Sequence, residues 1–326
     1  MQFVNDPREH VAEGLAGLER AWPDLVRWNR EPSFIARAQN GEPKVALVAG
    51  GGSGHEPLHT GFVGEGMLDA AVPGAIFSSP TAGQLEAATR AADRGRGVVH
   101  IIKNYTGDVL NFGIAAELVA DAIAVETVLV DDDLATDGSG PGRRGTAAVV
   151  AVEKLCGAAA ERGWDLPEVA ALGRRVAASS RTMALALRPC THPGEDRPSF
   201  DLAPGEIELG VGIHGERGIG RRPVASAAEL ASLLIDPVAD ALELGEGDRV
   251  ILIVNGLGST HPLELSVMFG EVADRLAARG VEVARSLVGS YVTALDMGGC
   301  SITAVRADDE LLDLWDAPVR TPGLTW

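Results

Sequence analysis

The chain reads as an α/β protein with two α/β domains. Each is expected to hold a mostly parallel or mixed sheet flanked by helices, with a substrate pocket at the C-terminal ends of strands. Three observations predict this. Short apolar runs recur, each followed by glycines or polar residues and then by an Ala-rich segment with apolar positions at helical spacing. A length of 326 residues suits two domains better than one. A polar, proline-bearing stretch, RPCTHPGEDRPSF at 188–200, offers a crossing between them. The expected domains are therefore 1–187 and 188–326.

The elements follow in order. Val45–Val48 is a short buried strand leading into GGGSGH. Ala75–Phe77 leads into SSPTAGQLEAATRAADRG, a helix with Ser78, Ser79 and Thr81 as N-cap candidates. Val98–Ile102 runs into KNYTGDVLNFGIAAELVADA. Glu126–Val130 opens an acidic, glycine-bearing loop, DDDLATDGSGPGRRG. Ala147–Arg162 and Leu166–Ala186 read as helices. Past the crossing come a strand over Ile207–Gly212, another over Arg249–Val254, a helix from Leu263 to Arg279, then VEVARSLVG and CSITAV. The second half reads as a smaller unit of the same kind.

Composition narrows the function. The formal net charge is -18 and no block of Lys and Arg stands out, which argues against nucleic acid or an anionic membrane as partner. No apolar run reaches membrane-spanning length, and MQFVNDPREHVAEGL lacks a signal pattern, so a cytoplasmic protein is expected. Cys156, Cys190 and Cys300 are far apart without a CxxC pair, which predicts three reduced, packed thiols.

Chemistry is concentrated where apolar strands give way to glycines. Gly50, Gly51, Gly52 and Gly54 let a backbone approach a ligand closely, and His55 follows. A dinucleotide fingerprint would need a third glycine at His55, and a P-loop would need a lysine that is missing, so the loop is not a nucleotide cradle. Taken alone it is equally a tight connection with a solvent-facing histidine. Lys103 and Asp108 follow the strand VVHII, although Asp108 alone reads as a helix cap and Lys103 as a solvated edge residue. His214 sits among glycines in GVGIHGERG. Two histidines, a lysine and an aspartate at strand ends suit nucleophilic or acid–base work on a small polar molecule. A metal is not expected. Pro57 spoils the helical pairing of His55 with His59, and Asp131, Asp132 and Asp133 read as a solvated, capping acidic loop.

Taken together, GGGSGHEPLHTGFVG, KNYTGDVLNFGIA, GRRGTA, GIHGE, NGLGST and YVTALDMGGCSIT resemble the substrate-binding subunit (DhaK) of the dihydroxyacetone kinase family, from about Pro32 to Pro318. The resemblance implies a phosphotransferase subunit that binds dihydroxyacetone covalently, as a hemiaminal on His214. Gly52, Ser53, Gly54, His55, Lys103 and Asp108 would bind the substrate, and His55 and Asp108 would share the acid–base work. It implies no cofactor on this chain: ATP or ADP with Mg²⁺ belongs to a separate nucleotide-binding subunit. ATP or a phosphotransferase-system phosphocarrier supplies the phosphate, and the chain is expected to form a homodimer. Arg217 departs from the family's usual proline, the acidic loop is richer in Asp and Gly than usual, and HPGEDRPSF lies upstream of His214. These departures leave the chemistry in place and the exact ketose open, so a kinase for a tetrulose such as erythrulose is an alternative; a non-catalytic ketose-sensing paralogue is another, disfavoured by the retention of His55, Asp108 and His214.

Overall fold

The computed structural model describes residues 3–39, 41–138 and 142–326. Ser139, Gly140 and Pro141 of the acidic loop lie outside the described residues. The chain divides into two compact units that interleave in sequence. The first runs up to Val130 and adds Val149–Ala177 and Leu314–Trp326; the second holds Asp131–Ala148 and Ala178–Asp313. The division thus differs from the expected cut between 187 and 188. The chain enters the second unit at Asp131, returns to the first for two helices, and leaves it again at Ala178.

In the first unit, helix α1 (His10–Ala21) precedes strands β1 (Val26–Arg30), β2 (Ser33–Arg37), β3 (Ala46–Ser53) and β4 (Ala70–Ile76). Helix α2 (Ala82–Ala92), β5 (Val98–Lys103), α3 (Thr106–Val119) and β6 (Val125–Val130) follow, then α4 (Ala148–Glu161) and α5 (Leu166–Ala178). The sheet order is β1-β2-β4-β3-β5-β6. Strands β4, β3, β5 and β6 are parallel, and the β1–β2 hairpin joins antiparallel. Thr81 caps α2 in a box with Gln84, as one of the three N-cap candidates.

Strand alternation decides what each face of this sheet carries. On β5, Val98 and Ile102 join a core with Leu85 and Ala88 of α2 and Phe112 and Ala115 of α3. His100 points the same way, with Nε2 2.8 Å from Thr89 Oγ1 and its ring edge-on to Phe112. Val99, Ile101 and Lys103 therefore face the other side. Helix α4 is buried over nearly its whole circumference, the mark of a helix enclosed on all sides.

The second unit holds β7 (Ser180–Arg188), β8 (Glu206–Leu209), β9 (Gly220–Pro223), α6 (Ala227–Ala241), β10 (Arg249–Gly256), α7 (Pro262–Ala277), β11 (Glu282–Gly289) and β12 (Gly298–Arg306). Helix α8 (Asp309–Trp315) closes the order, with its last two residues counted in the first unit. The six-stranded sheet of the second unit runs β11-β10-β12-β7-β8-β9. Only β10 and β11, joined by the α7 crossover, are parallel; the other neighbours are antiparallel. The sheet is mixed, but its connectivity is not that of the first unit. Helices α6 and α7 bury Leu234, Ile235, Val238, Leu265 and Val272 against Val250, Leu252, Ile302 and Ala304.

The expected helix over Leu166–Ala186 ends at Ala178, and its last third is strand β7. SRTMALALR is apolar enough for either state, and pairing with β12 along eight positions selects the extended one.

Candidate functional site

The glycines after Val48 are not all loop. Gly50 and Gly51 continue β3 and pair with Val72 and Pro73 of β4. Gly52 is required by what lies against it: a Cβ there would stand 2.6 Å from the Ser78 amide nitrogen and 2.7 Å from Phe77 Cα. A Cβ on Gly51 would meet the Lys103 ammonium. The glycine run thus lets a neighbouring loop and a lysine pack directly on the strand end.

Ser53 is buried and its Oγ donates to Gly74 O at 2.8 Å, so its hydroxyl pins β3 to β4. The Gly54 amide donates to the Glu56 carboxylate at 3.0 Å. His55 is fully buried rather than solvent-facing, and its ring stacks on Phe77 with centroids 5.0 Å apart. Lys103 is buried too, which overturns the solvated-edge reading. Its Nζ lies 2.8 Å from His59 Nε2, 3.4 Å from Gly50 O and 4.0 Å from Asp108 Oδ2. Asp108 does not cap α3; Tyr105 is the N-cap residue. From the first turn Asp108 points inward, where the helix N-terminus favours a carboxylate, and its buried Oδ1 has no hydrogen-bond partner among the described residues. An acceptor left open beside an ammonium suits a hydroxyl donor from a small polyhydroxy ligand. The first unit therefore brings Lys103 and Asp108 together at the end of β5, with Gly51 and His59 against the same ammonium.

His214 belongs to the second unit, in the turn after β8. Gly210, in the left-handed region at φ 75°, ends the strand direction. The His214 ring is half-buried. Its Nδ1 lies 3.0 Å from Glu216 Oε1, and its backbone N–H donates to Glu216 Oε2. Burial alone would raise the Glu216 carboxyl, but the hydrogen bonds and charge of His214 and the Arg144 guanidinium outweigh it and hold the pKa at about 2. An ionised carboxylate only accepts, so Nδ1 carries a proton, and in the neutral ring it is Nε2 that keeps the lone pair. Behind Glu216, Arg144 donates from Nε to Asp133 at 2.8 Å and from Nη2 to Gly210 O at 3.0 Å. The loop from Cys190 to Ser199 also reaches this turn, since a Cβ on Gly215 would stand 2.6 Å from Ser199 Cβ. Arg217 is exposed.

The acidic loop is not solvated as expected. Asp132 is fully buried and accepts from the Thr146 and Ala148 amides and from the hydroxyls of Thr146 and Thr182. Asp133 is buried against Arg144 and also caps the short turn at Ala135. Asp131 pairs with Arg143. All three carboxylates are thus tied to the GRRGTA segment. Glu216, Arg144, Glu153 and His59 were not singled out as chemistry-bearing, although Glu216 stands two residues from His214 in GIHGE. The motifs NGLGST and YVTALDMGGCSIT hold one another: Asn255 donates to Val292 O and accepts from the Tyr291 and Val292 amides, and Thr260 Oγ1 donates to Gly299 O at 2.5 Å.

A half-buried histidine held by a carboxylate, and a separate strand-end cluster of histidine, lysine and aspartate, define a protein equipped for small-molecule group chemistry. The chain matches the Dak1 domain over residues 16–323, and it belongs to that family. It is 44% identical over 353 residues to the Escherichia coli (strain K12) PEP-dependent dihydroxyacetone kinase, dihydroxyacetone-binding subunit DhaK, covering 100% of this chain and 99% of that one. The native dihydroxyacetone kinase of C. freundii superposes with a TM-score of 0.90 at 34% identity, over 100% of this chain and 60% of that longer one. The dihydroxyacetone kinase operon co-activator Dha-DhaQ superposes with a TM-score of 0.90 at 31% identity, over 97% of both chains.

Proposed function

We propose that this chain is the dihydroxyacetone-binding subunit of a dihydroxyacetone kinase, holding the ketose as a hemiaminal on His214 for phosphorylation by a donor on another subunit. The observation that carries this reading is the His214–Glu216 pair in a Dak1 chain, because it holds the proton of the neutral ring on Nδ1 and so makes Nε2 the nucleophile. Nε2 attacks the carbonyl carbon, a C–N bond forms, and the carbonyl π pair moves to oxygen. The ring gives up its Nδ1 proton on the Glu216 side while the new alkoxide takes up one proton, so the adduct is neutral. Glu216 stabilises the cationic ring passed through on the way. A bond that requires a carbonyl rejects glycerol, which hydrogen bonding alone separates poorly from a triose.

The hydroxyl side of the reaction falls to the strand-end residues. Asp108, with one open oxygen, and Lys103 beside it orient the hydroxyls, and Gly52, Ser53 and Gly54 let the backbone close on them. His55 takes the proton from the terminal hydroxyl as that oxygen attacks phosphorus, with Asp108 assisting. ATP or ADP with Mg²⁺ sits on the partner subunit, which ATP itself or a phosphotransferase-system phosphocarrier recharges. The working form is a cytoplasmic homodimer. Among the described residues, no helix is long and apolar enough to cross a membrane.

Calorimetry with dihydroxyacetone, glycerol and both erythrulose enantiomers tests the reading. Dihydroxyacetone should bind, glycerol should not, and His214→Ala should lose the ketose. Equal binding of glycerol would remove the carbonyl chemistry. Tighter binding of one erythrulose enantiomer would reassign the chain to a tetrulose kinase. Ketose binding without turnover, with partner subunit and phosphate source supplied, would make it a sensor.

A further inference from the structure

Helix α4 sends two charged side chains into the interior, and the reaction above uses neither. Glu153 is fully buried, and its Oε1 lies 2.5 Å from His59 Nδ1. His59 Nε2 lies 2.8 Å from Lys103 Nζ, and Lys103 in turn faces Asp108 Oδ2 at 4.0 Å. The four side chains make one unbroken buried line within the first unit: Glu153, His59, Lys103, Asp108.

Proton counting gives the line a direction. An ammonium only donates, so beside a protonated Lys103 the His59 Nε2 must accept. The ring proton is then on Nδ1 and is given to an ionised Glu153. In this form the imidazole is a neutral spacer, and the lysine stands between two carboxylates, one direct and one through the ring. The same heavy atoms also fit a neutral form, with both protons shifted so that Glu153 is a carboxylic acid and Lys103 an amine. Asp108 favours the charged form, because an ammonium beside its carboxylate is worth more than an amine.

Burial works against that ammonium. It pulls Lys103 below the ordinary lysine value, and the charges of Asp108 and Glu153 oppose it. Burial likewise holds His59 well below the ordinary histidine value, helped by Lys103 and His55, so the ring stays neutral. Burial also raises the Glu153 carboxyl well above its ordinary value, and the Lys103 charge opposes that rise, so each ion depends on the other for its charge. Among the described residues, the titratable groups around the lysine come from three elements. Asp108 comes from α3, His59 with His55 behind it from the loop after β3, and Glu153 from α4, with Cys156 one turn further along.

We propose that Glu153 and His59 are positioning residues that keep Lys103 protonated and aimed at Asp108, and through it set the upper pH limit of ketose binding. The binding half of this statement rests on the ketose reading above; the Lys103 half does not.

The chain has three lysines, Lys44, Lys103 and Lys154, so lysine labelled with ¹³C at Cε gives three signals, assignable by single Arg substitutions. Titrating the full chain without ligand reads Lys103 directly. In Glu153→Gln the Lys103 midpoint should fall by at least about one pH unit, the usual effect of losing a nearby opposite charge. His59→Gln should lower it too, and Glu153→Asp, which keeps the charge, should return it most of the way. Dihydroxyacetone affinity followed by calorimetry from neutral to alkaline pH should lose its upper limb at the same shifted pH. A merely structural Glu153 would lower the melting temperature and leave the midpoint alone. An unchanged Lys103 midpoint in Glu153→Gln, or a neutral Lys103 in the wild type at pH 7, overturns the proposal. If wild type binds no ketose at any pH, the functional reading fails while the Lys103 titration still decides the relay.

Discussion

Asp132→Asn should loosen the segment that carries Arg144, and the size of the effect follows from the hydrogen bonds. Asp132 Oδ2 takes three donors: Thr146 Oγ1 at 2.8 Å, the Ala148 amide at 3.0 Å and the Thr182 hydroxyl. Oδ1 takes one, the Thr146 amide at 2.6 Å. An asparagine does best with its carbonyl on the three-donor side, which aims its NH₂ at the Thr146 N–H. Losing that bond and leaving a buried donor unpaired costs about 2 kcal/mol, and the other three bonds weaken because their acceptor is no longer charged, adding about 1 kcal/mol. A total of about 3 kcal/mol should speed local-opening exchange at the Thr146 and Ala148 amides by about 150-fold. Native-state hydrogen exchange read by mass spectrometry or NMR measures this, together with ketose affinity, which should weaken as Arg144 loses its footing behind Glu216. An acceleration below about 3-fold would refute the account of Asp132 as the organiser of this loop.

Three other perturbations have definite signs. Glu216→Gln removes the charge that orients His214 and stabilises its cationic form; with the carboxylate partly solvated, the loss should be about 1–2 kcal/mol, roughly 10-fold in dihydroxyacetone affinity by calorimetry. Burial lowers the His100 pKa from 6.5 to about 4, so between those values the unfolded chain binds the extra proton and stability falls as pH falls. Over that window the His100 contribution is about 3 kcal/mol. The buried Asp133 carboxyl, pushed up to about 6, works in the opposite sense, so the test is the difference between wild type and His100→Leu in melting temperature across pH 7 to 4. The variant should lose less stability than wild type over that interval, and parallel curves would contradict the argument. Gly52→Ala drives a methyl into the Phe77–Ser78 backbone and should cost about 1–3 kcal/mol, read as a lower melting temperature and weakened ketose binding; a neutral result would mean that this backbone yields freely.

Particular residues explain how much could be read in advance. Strands β5 and β10 were legible because VILIV is an unbroken apolar run and VVHII is one interrupted only by His100, as buried strands require. Strand β7 was not, because TMALAL suits a helix as well and only its long-range pairing with β12 decides. The parallel part of the first sheet, β4-β3-β5-β6, followed from repeated strand–helix alternation, whereas the antiparallel pairings of β12, β7, β8 and β9 leave no such local trace. His55, Lys103, Asp108 and His214 stood out because strand ends and glycines framed them. Glu153 did not, yet AVVAVEKLCGAAAE held a signal: a Glu–Lys pair in a helix with no polar face must be buried and needs partners. Glu153 finds one in His59, and Lys154 donates to Leu314 O at 2.9 Å. All three lysines of the chain are buried, so each stands where a directed ammonium is wanted, and arginine serves the surface.

The central claim is that His214 bonds to the ketone carbon. The most direct measurement is the ¹³C NMR spectrum of dihydroxyacetone labelled at its carbonyl carbon, bound to the wild-type chain and to His214→Gln. The account predicts that the wild type replaces the carbonyl resonance with that of a tetrahedral carbon bearing oxygen and nitrogen, and that the variant does not. A bound ketose whose labelled carbon stays trigonal on the wild type would contradict it.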